Sequence, residues 1–135
     1  MRTATILCAL AVGVAGCGGS PRDSTKEFKG EEQKVAAAVE QIEKAARDDK
    51  PATVCDKLFT DARLAALKTQ GTNCKTGVKE AFKDADSFDI TVDDVTISGD
   101  SATAKVTAGT GSNKKTETLE LKREGGAWKI ESLAS

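Results

Sequence analysis

Four cysteines are the side chains of this sequence most able to do covalent or metal chemistry: Cys8, Cys17, Cys55 and Cys74. A nucleophilic cysteine needs a neighbouring base, most often histidine, and the chain contains 0 His. A structural zinc site needs four protein ligands, usually cysteine or histidine. The residue types therefore favour covalent modification or disulfide formation over nucleophilic catalysis or zinc binding.

Acidic side chains crowd between residues 84 and 94, where the sequence DADSFD begins like a calcium-binding EF-hand loop. Such a loop needs Gly at its sixth position and Glu at its twelfth, where Asp89 and Val95 stand. The pair Gly109 and Gly111 lacks the further glycine of a nucleotide-binding fingerprint and lies between predicted strands. We therefore predict a solvated acidic face, no metal, no cofactor and no catalytic residue.

Cys17 lies at the end of an N-terminal apolar segment that follows the basic start Met1-Arg2. About a dozen apolar residues are too few for a membrane-spanning helix, which needs about 20, and are typical of a secretory signal peptide. The stretch Val14-Ala15-Gly16-Cys17 resembles the lipobox of bacterial lipoproteins, although that family more often has Leu where Val14 stands. The resemblance implies a signal peptide over residues 1–16 and a diacylglycerol and palmitate anchor on Cys17. The alternative is a plain signal peptide with an incidental cysteine.

Cys55 and Cys74 remain for the mature chain if Cys8 leaves with the signal peptide and Cys17 carries lipid. Only one intramolecular pair is then available, and export places it in an oxidising compartment where a disulfide persists. We predict a Cys55–Cys74 disulfide, with a reactive or metal-binding pair of thiols as the alternative.

Composition bounds the domain and its partners. The chain has 20 basic and 21 acidic side chains, so its net charge of −1 gives no electrostatic case for a nucleic-acid partner. Residues 17–30 are polar and rich in Gly, Ser and Pro, and they predict a lipidated cysteine followed by a flexible tether. The end of the tether stays open, because Phe28 is an apolar side chain that could pack back onto the domain. Residues 31–135 are long enough for a single domain with its own core.

The first half of this domain has helical periodicity. One apolar stripe recurs at i, i+4, i+7 and i+11, at Val35, Val39, Ile42 and Ala46. Pro51 ends this helix and opens a short second one. Thr60 and Asn73 are N-cap residues for two further helices, with Leu64 and Leu67 turned inward on the first. The apolar face of the last helix comprises Val78, Ala81, Phe82 and Ala85.

The second half alternates with the period of β-strands. Two successive acidic residues, Asp93 and Asp94, shift the phase of the first strand and predict a β-bulge. Short turns then separate the remaining strands, which predicts an antiparallel meander of about four strands. Polar side chains share the outer face, namely Thr103, Lys105, Thr107, Glu120 and Lys122. Helices followed by an antiparallel sheet indicate an α+β domain with its N-terminal helices packed on a bent sheet.

This element order resembles the nuclear-transport-factor-2-like superfamily, the cone-shaped or SnoaL-like fold. The sequence is most similar to the small lipoproteins of that superfamily in actinobacteria and other bacteria, with a lipobox, a cysteine pair between helices and the final G-x-W-K-I strand at Gly126–Ile130. The resemblance implies a pocket between the concave sheet and the helices. Its enzymes commonly use an Asp–His pair or a Tyr, and this chain has 0 His and 0 Tyr, so no catalytic residue carries over.

Candidate pocket-lining residues are the inward side chains of the later strands: Ala102, Ala104, Val106 and Trp128. The small alanines leave space for a ligand, unless larger neighbours fill it. Trp128 is either a stacking surface or a core residue.

We predict a lipid-anchored protein on the extracytoplasmic face of the cell membrane, acting as a ligand-binding or protein-interaction module of the cell envelope. Its partner is a small apolar ligand or another envelope protein. One alternative is an isomerase, cyclase or dehydratase that uses a buried carboxylate, which requires an inward Asp or Glu in the pocket. The other is a structural subunit of an envelope complex, which predicts an exposed apolar patch on the outer sheet face or a stable dimer.

Overall fold

The computed structural model describes residues 23–85 and 87–134. The predicted signal peptide, Cys17 and the first part of the predicted tether lie outside these residues. The helices are α1 (Gly30–Arg47), α2 (Pro51–Thr53), α3 (Asp61–Thr69) and α4 (Cys74–Asp84), and the strands are β1 (Ile90–Ser98), β2 (Ser101–Ala108), β3 (Lys115–Glu124) and β4 (Ala127–Ala134). A 3-10 turn at Ser24–Glu27 precedes α1, and a π-helical turn at Val54–Leu58 continues α2.

Capping residues, a proline and first-turn charges account for where the helices begin. Glu31 and Glu32 lie in the first turn of α1, where the helix dipole favours negative charge. Pro51 opens α2 at its first position, and the π-helical turn that follows buries Val54, Cys55 and Leu58. The predicted caps are confirmed: Thr60 Oγ1 accepts a hydrogen bond from Arg63 N (3.1 Å), and Asn73 Oδ1 accepts one from Thr76 N (3.2 Å).

The described strands form one antiparallel sheet in the order β1-β2-β3-β4, as the meander prediction requires. The predicted bulge is confirmed, since the β1–β2 register shifts between Val92 and Asp94. A second shift lies between Glu120 and Leu121 of β3, opposite β4. Bulges bend strands and increase their twist, so this pair curves the sheet toward the helices.

Both edges of the sheet are covered by other parts of the chain. On the β1 edge, Val92 N donates to Ser24 Oγ and Ile90 N donates to Glu43 Oε2, each at 3.1 Å. On the β4 edge, Thr60 N donates to Ile130 O at 3.0 Å. Pairing these backbone groups removes a template for aggregation.

The N-terminal boundary of the domain lies earlier than the sequence predicts. Ser24 is buried and Phe28 packs against the core, although both belong to the predicted tether over residues 17–30. The packed domain therefore begins by Ser24 and not at residue 31, because the free edge of β1 provides a backbone donor for the 3-10 turn.

The main core lies between α1 and the concave face of the sheet. It includes Val35, Ala36, Val39, Val92, Ala104, Val106, Leu119, Leu121, Trp128 and Ile130. Val35 and Val39 of the predicted α1 stripe are fully buried, and Ile42 is half-buried. A smaller cluster of Ala45, Val54 and Leu58 lies beneath α4, where Val78 and Phe82 pack against it.

The outer helices cover this smaller cluster without entering the core. All the described side chains of α3 and α4 keep some exposure. Leu64 and Leu67, which the sequence predicts to point inward, are half-buried because α3 packs at the side of β4 and α4. The α3–α4 pair thus forms an outer layer over one end of the sheet.

Candidate functional site

An apolar pocket of about 250 Å³ lies between α4, the end of α1 and the sheet. Its described walls come from every layer of the fold: Ile42, Val54, Phe59, Arg63, Val78, Ala81, Phe82, Ile90, Leu119, Ile130 and Ser132. The pocket is not sealed, since Ala81 is exposed and Val78 and Phe82 are half-buried. The α4 face predicted from sequence, without Ala85, therefore forms the outer wall of a pocket, and its Val78 and Phe82 also pack against the smaller cluster.

A covalent bond at one end and an aromatic contact at the other help to hold α4 over this pocket. The predicted disulfide is present: Cys55 in the buried π-helical turn bonds to Cys74, the first residue of α4, with a Cα–Cα distance of 6.0 Å. At the other end, the Phe82 ring packs edge-on against Phe88, with 6.0 Å between ring centroids. The disulfide compensates for the lack of fully buried side chains on α4, because a short helix has little stability of its own.

Arg63 is the only basic side chain among the described residues that line the pocket. It is half-buried in the first turn of α3, and its Cζ lies 5.6 Å from the centroid of the Phe59 ring. Its Nε is buried and makes no hydrogen bond to any residue within 23–85 and 87–134. This residue is not among the candidates predicted from the sequence. The available signal was a basic side chain in a first helical turn, where the dipole disfavours positive charge.

Carboxylates are absent from the described walls of this pocket. The one buried carboxylate among the described residues, Glu43, is fully engaged elsewhere: Arg47 Nη2 lies 2.8 Å from its Oε1, and Ile90 N donates to its Oε2 at 3.1 Å. Glu43 therefore holds α1 to the edge of β1. It is not placed as a base for a molecule in the apolar pocket.

A larger groove of about 510 Å³ runs along the outer side of α1, and the charged groups that line it make hydrogen bonds or ion pairs within the fold. Lys44 Nζ donates to Asp48 Oδ2 at 3.2 Å, and this hydrogen bond lowers the pKa of Asp48. Burial raises the pKa of Glu40, whose Oε1 accepts a hydrogen bond from Thr25 N at 3.1 Å. The groove is therefore the boundary along which the N-terminal 3-10 turn packs against α1.

The candidate pocket-lining residues Ala102, Ala104, Val106 and Trp128 do not line the apolar pocket. All four are at most 5% exposed and belong to the packed cluster that contains Val35 of α1. Ala102 also borders a polar hollow of about 290 Å³ on the sheet surface. Side chains from α1 pack against this part of the sheet, so the cavity lies further along it, where Ile90, Leu119 and Ile130 face α4.

Trp128 is a core residue whose polar atom is satisfied. Its Nε1 donates to Glu31 Oε2 at 3.0 Å, and Arg123 Nη2 donates to the same oxygen at 2.8 Å. The Arg123 guanidinium also lies over the indole, with Cζ 4.7 Å from the ring centroid. Hydrogen bonds from Lys34 and Trp128 lower the pKa of Glu31. This cluster ties the start of α1 to β3 and β4.

Neither a metal-binding cluster nor a membrane-spanning helix is found in the described part of the chain. Residues 23–85 and 87–134 contain no group of three His, Cys, Asp or Glu side chains that could hold a metal ion. Across the same ranges, the helices are too short or too polar to cross a bilayer.

Comparison with known proteins identifies the fold. No protein-family model matches the sequence. No curated protein matches it either. Among solved structures, the de novo designed NTF2 fold protein NT-9 superposes with a TM-score of 0.52 at 13% identity, over 80% of this chain and 89% of that chain. The chain therefore has a nuclear-transport-factor-2-like α+β cone fold, as the resemblance predicts. At this identity the comparison establishes the fold alone.

Proposed function

We propose that this protein is a lipid-anchored module of the cell envelope that binds a small apolar molecule in the pocket under α4. The observation that carries the proposal is a pocket of about 250 Å³ whose described walls are apolar except for Arg63 and Ser132. Ligand sites are typically concave and mostly apolar, with a few placed polar groups. Binding of an apolar ligand would remove these apolar walls from water, which contributes favourably to the free energy of binding.

The anchor on Cys17 is the second part of the proposal. It is supported by the lipobox-like stretch Val14–Cys17 and by the Cys55–Cys74 disulfide, a bond that persists in exported proteins. An anchor would hold the pocket near the bilayer, where small apolar molecules concentrate.

The described residues give less support to the two alternatives. A carboxylate-dependent enzyme needs an Asp or Glu in the pocket, and none of the described lining residues is acidic. A structural subunit that docks through the sheet needs an apolar outer face. The described outer face instead exposes Thr103, Lys105, Glu120 and Lys122.

Isothermal titration calorimetry with 1-octanol tests the binding function. Val78→Trp places a large side chain in the pocket, and Lys79→Trp places the same side chain on a neighbouring exposed position of α4. We expect saturable binding by the unmodified protein and by Lys79→Trp, and its loss in Val78→Trp. Binding that survives Val78→Trp unchanged, or no binding by any of the three proteins, refutes the proposal.

A further inference from the structure

We infer that the molecule bound under α4 carries a single acidic group, a carboxylate, and that the guanidinium of Arg63 binds it. This inference rests on the proposed ligand-binding function and specifies the class of ligand: a short aliphatic carboxylic acid.

The donors of Arg63 are only partly explained by the contacts within the fold. A guanidinium carries five N–H donors and stays protonated in proteins. Its Cζ lies over the Phe59 ring, 5.6 Å from the centroid, which is within the range of a cation–π contact. The N–H groups project from the edge of the guanidinium, and the buried Nε has no acceptor among the described residues. Buried donors of this kind are rare in folded proteins. Because Nε is closed off even from solvent, a ligand in the pocket would bind Arg63 through the terminal Nη groups, which carry four of the five donors.

The charge of the pocket selects a monoanion. Arg63 is the only basic side chain in the described walls, and no acidic side chain offsets it there. One carboxylate neutralises one guanidinium and matches its planar donor geometry. A phosphate monoester would bring additional negative charge and three acceptor oxygens to a pocket with a single basic side chain.

The remaining walls select an aliphatic chain of limited length. From Arg63 the pocket extends between Val78 and Phe82 of α4 and Ile90 and Leu119 of the sheet. A volume of about 250 Å³ holds about eight non-hydrogen atoms, if each takes about 30 Å³. A six-carbon acid fills this space, and longer chains reach the unsealed side at Ala81.

The experiment compares octanoate with 1-octanol and octyl phosphate by isothermal calorimetry. It uses the full chain, exported and oxidised, with Cys17→Ala so that no acyl chain is attached. We expect octanoate to bind about 10- to 100-fold more tightly than 1-octanol, the range of a charge-assisted hydrogen bond, and octyl phosphate to bind more weakly than octanoate. In Arg63→Gln, octanoate should bind no better than 1-octanol, whose affinity should be unchanged.

Lys68→Gln is the matched control, because it removes the same charge from an exposed position of α3. It should keep the preference for octanoate. Equal affinities for octanoate and 1-octanol, or a preference that survives Arg63→Gln, refute the role of Arg63 while the ligand-binding function stands. Tighter binding of octyl phosphate refutes the choice of a carboxylate. Absence of binding by all three probes refutes both proposals. The comparison of the three probes on the protein with Arg63 intact tests the proposal even if the Arg63→Gln variant does not fold.

Discussion

Removal of the Cys55–Cys74 disulfide should loosen α4 more than it loosens the core. The two cysteines are 19 residues apart, and a loop of this length contributes about 3 kcal/mol to the free energy of unfolding in the chain-entropy model. For a domain of this size, about 3 kcal/mol corresponds to a fall in Tm of about 10–15 °C. Locally, α4 loses its covalent attachment, and its described side chains all keep some exposure. Segments with few buried contacts open first.

The assay compares Cys55→Ala/Cys74→Ala with Lys79→Ala, a control at an exposed position of the same helix. Thermal unfolding by circular dichroism gives the change in Tm, and hydrogen exchange read by mass spectrometry locates the loss of protection. We expect residues 74–84 to exchange well before α1 in the double variant and not in the control. An unchanged Tm, or equal loss of protection in α1 and α4, would refute the reasoning.

Three further predictions concern the ligand, the effect of pH and the anchor. Across a series of acids from butanoate to dodecanoate, each added methylene should tighten binding about fourfold until about eight non-hydrogen atoms fill the pocket. If calorimetry shows the same gain in affinity per methylene through dodecanoate, the assigned size of the pocket is wrong. Because hydrogen bonds from Lys34 and Trp128 lower the pKa of Glu31 from 4.5 in the folded state, its carboxylate stabilises the fold above that pH and loses this contribution as pH falls through the folded-state pKa. Tm measured between about pH 3 and pH 6 should therefore depend less on pH in Glu31→Gln, and an unchanged profile contradicts the assigned contacts. Cys17→Ala should abolish palmitate labelling and move the protein out of the membrane fraction, whereas unchanged labelling and fractionation contradict the anchor.

Features controlled by local chemistry were predictable from the sequence. The N-caps at Thr60 and Asn73 depend on side-chain oxygens beside backbone donors, and the bulge after Val92 depends on a break in alternation. The Cys55–Cys74 disulfide was predictable because these are the two cysteines that remain if the predicted signal peptide is removed and Cys17 carries lipid. The second bulge had a comparable signal in the two polar residues Glu131 and Ser132, which the sequence analysis did not use.

The position of the pocket was not predictable in the same way. Alternation shows that Ala104 and Val106 point inward, but it does not show which element packs over each stretch of the sheet. In the structure α1 covers these residues, whereas the pocket lies between α4 and the stretch of sheet that contains Ile90 and Leu119. Arg63 was missed for a related reason, since an arginine on a helix is usually solvated and only the tertiary fold buries its Nε.

Methyl resonances provide the most direct test of the central claim, that the space under α4 is a ligand-binding pocket. In a titration of the methyl-labelled protein with octanoate, we expect saturable shifts at Ile42, Val78, Ile90 and Ile130, which line the pocket. The methyl groups of Val106, which lies in the closed core, should change little. Shifts confined to the groove along α1 or to the outer sheet face, or no saturable shifts at all, would contradict the account.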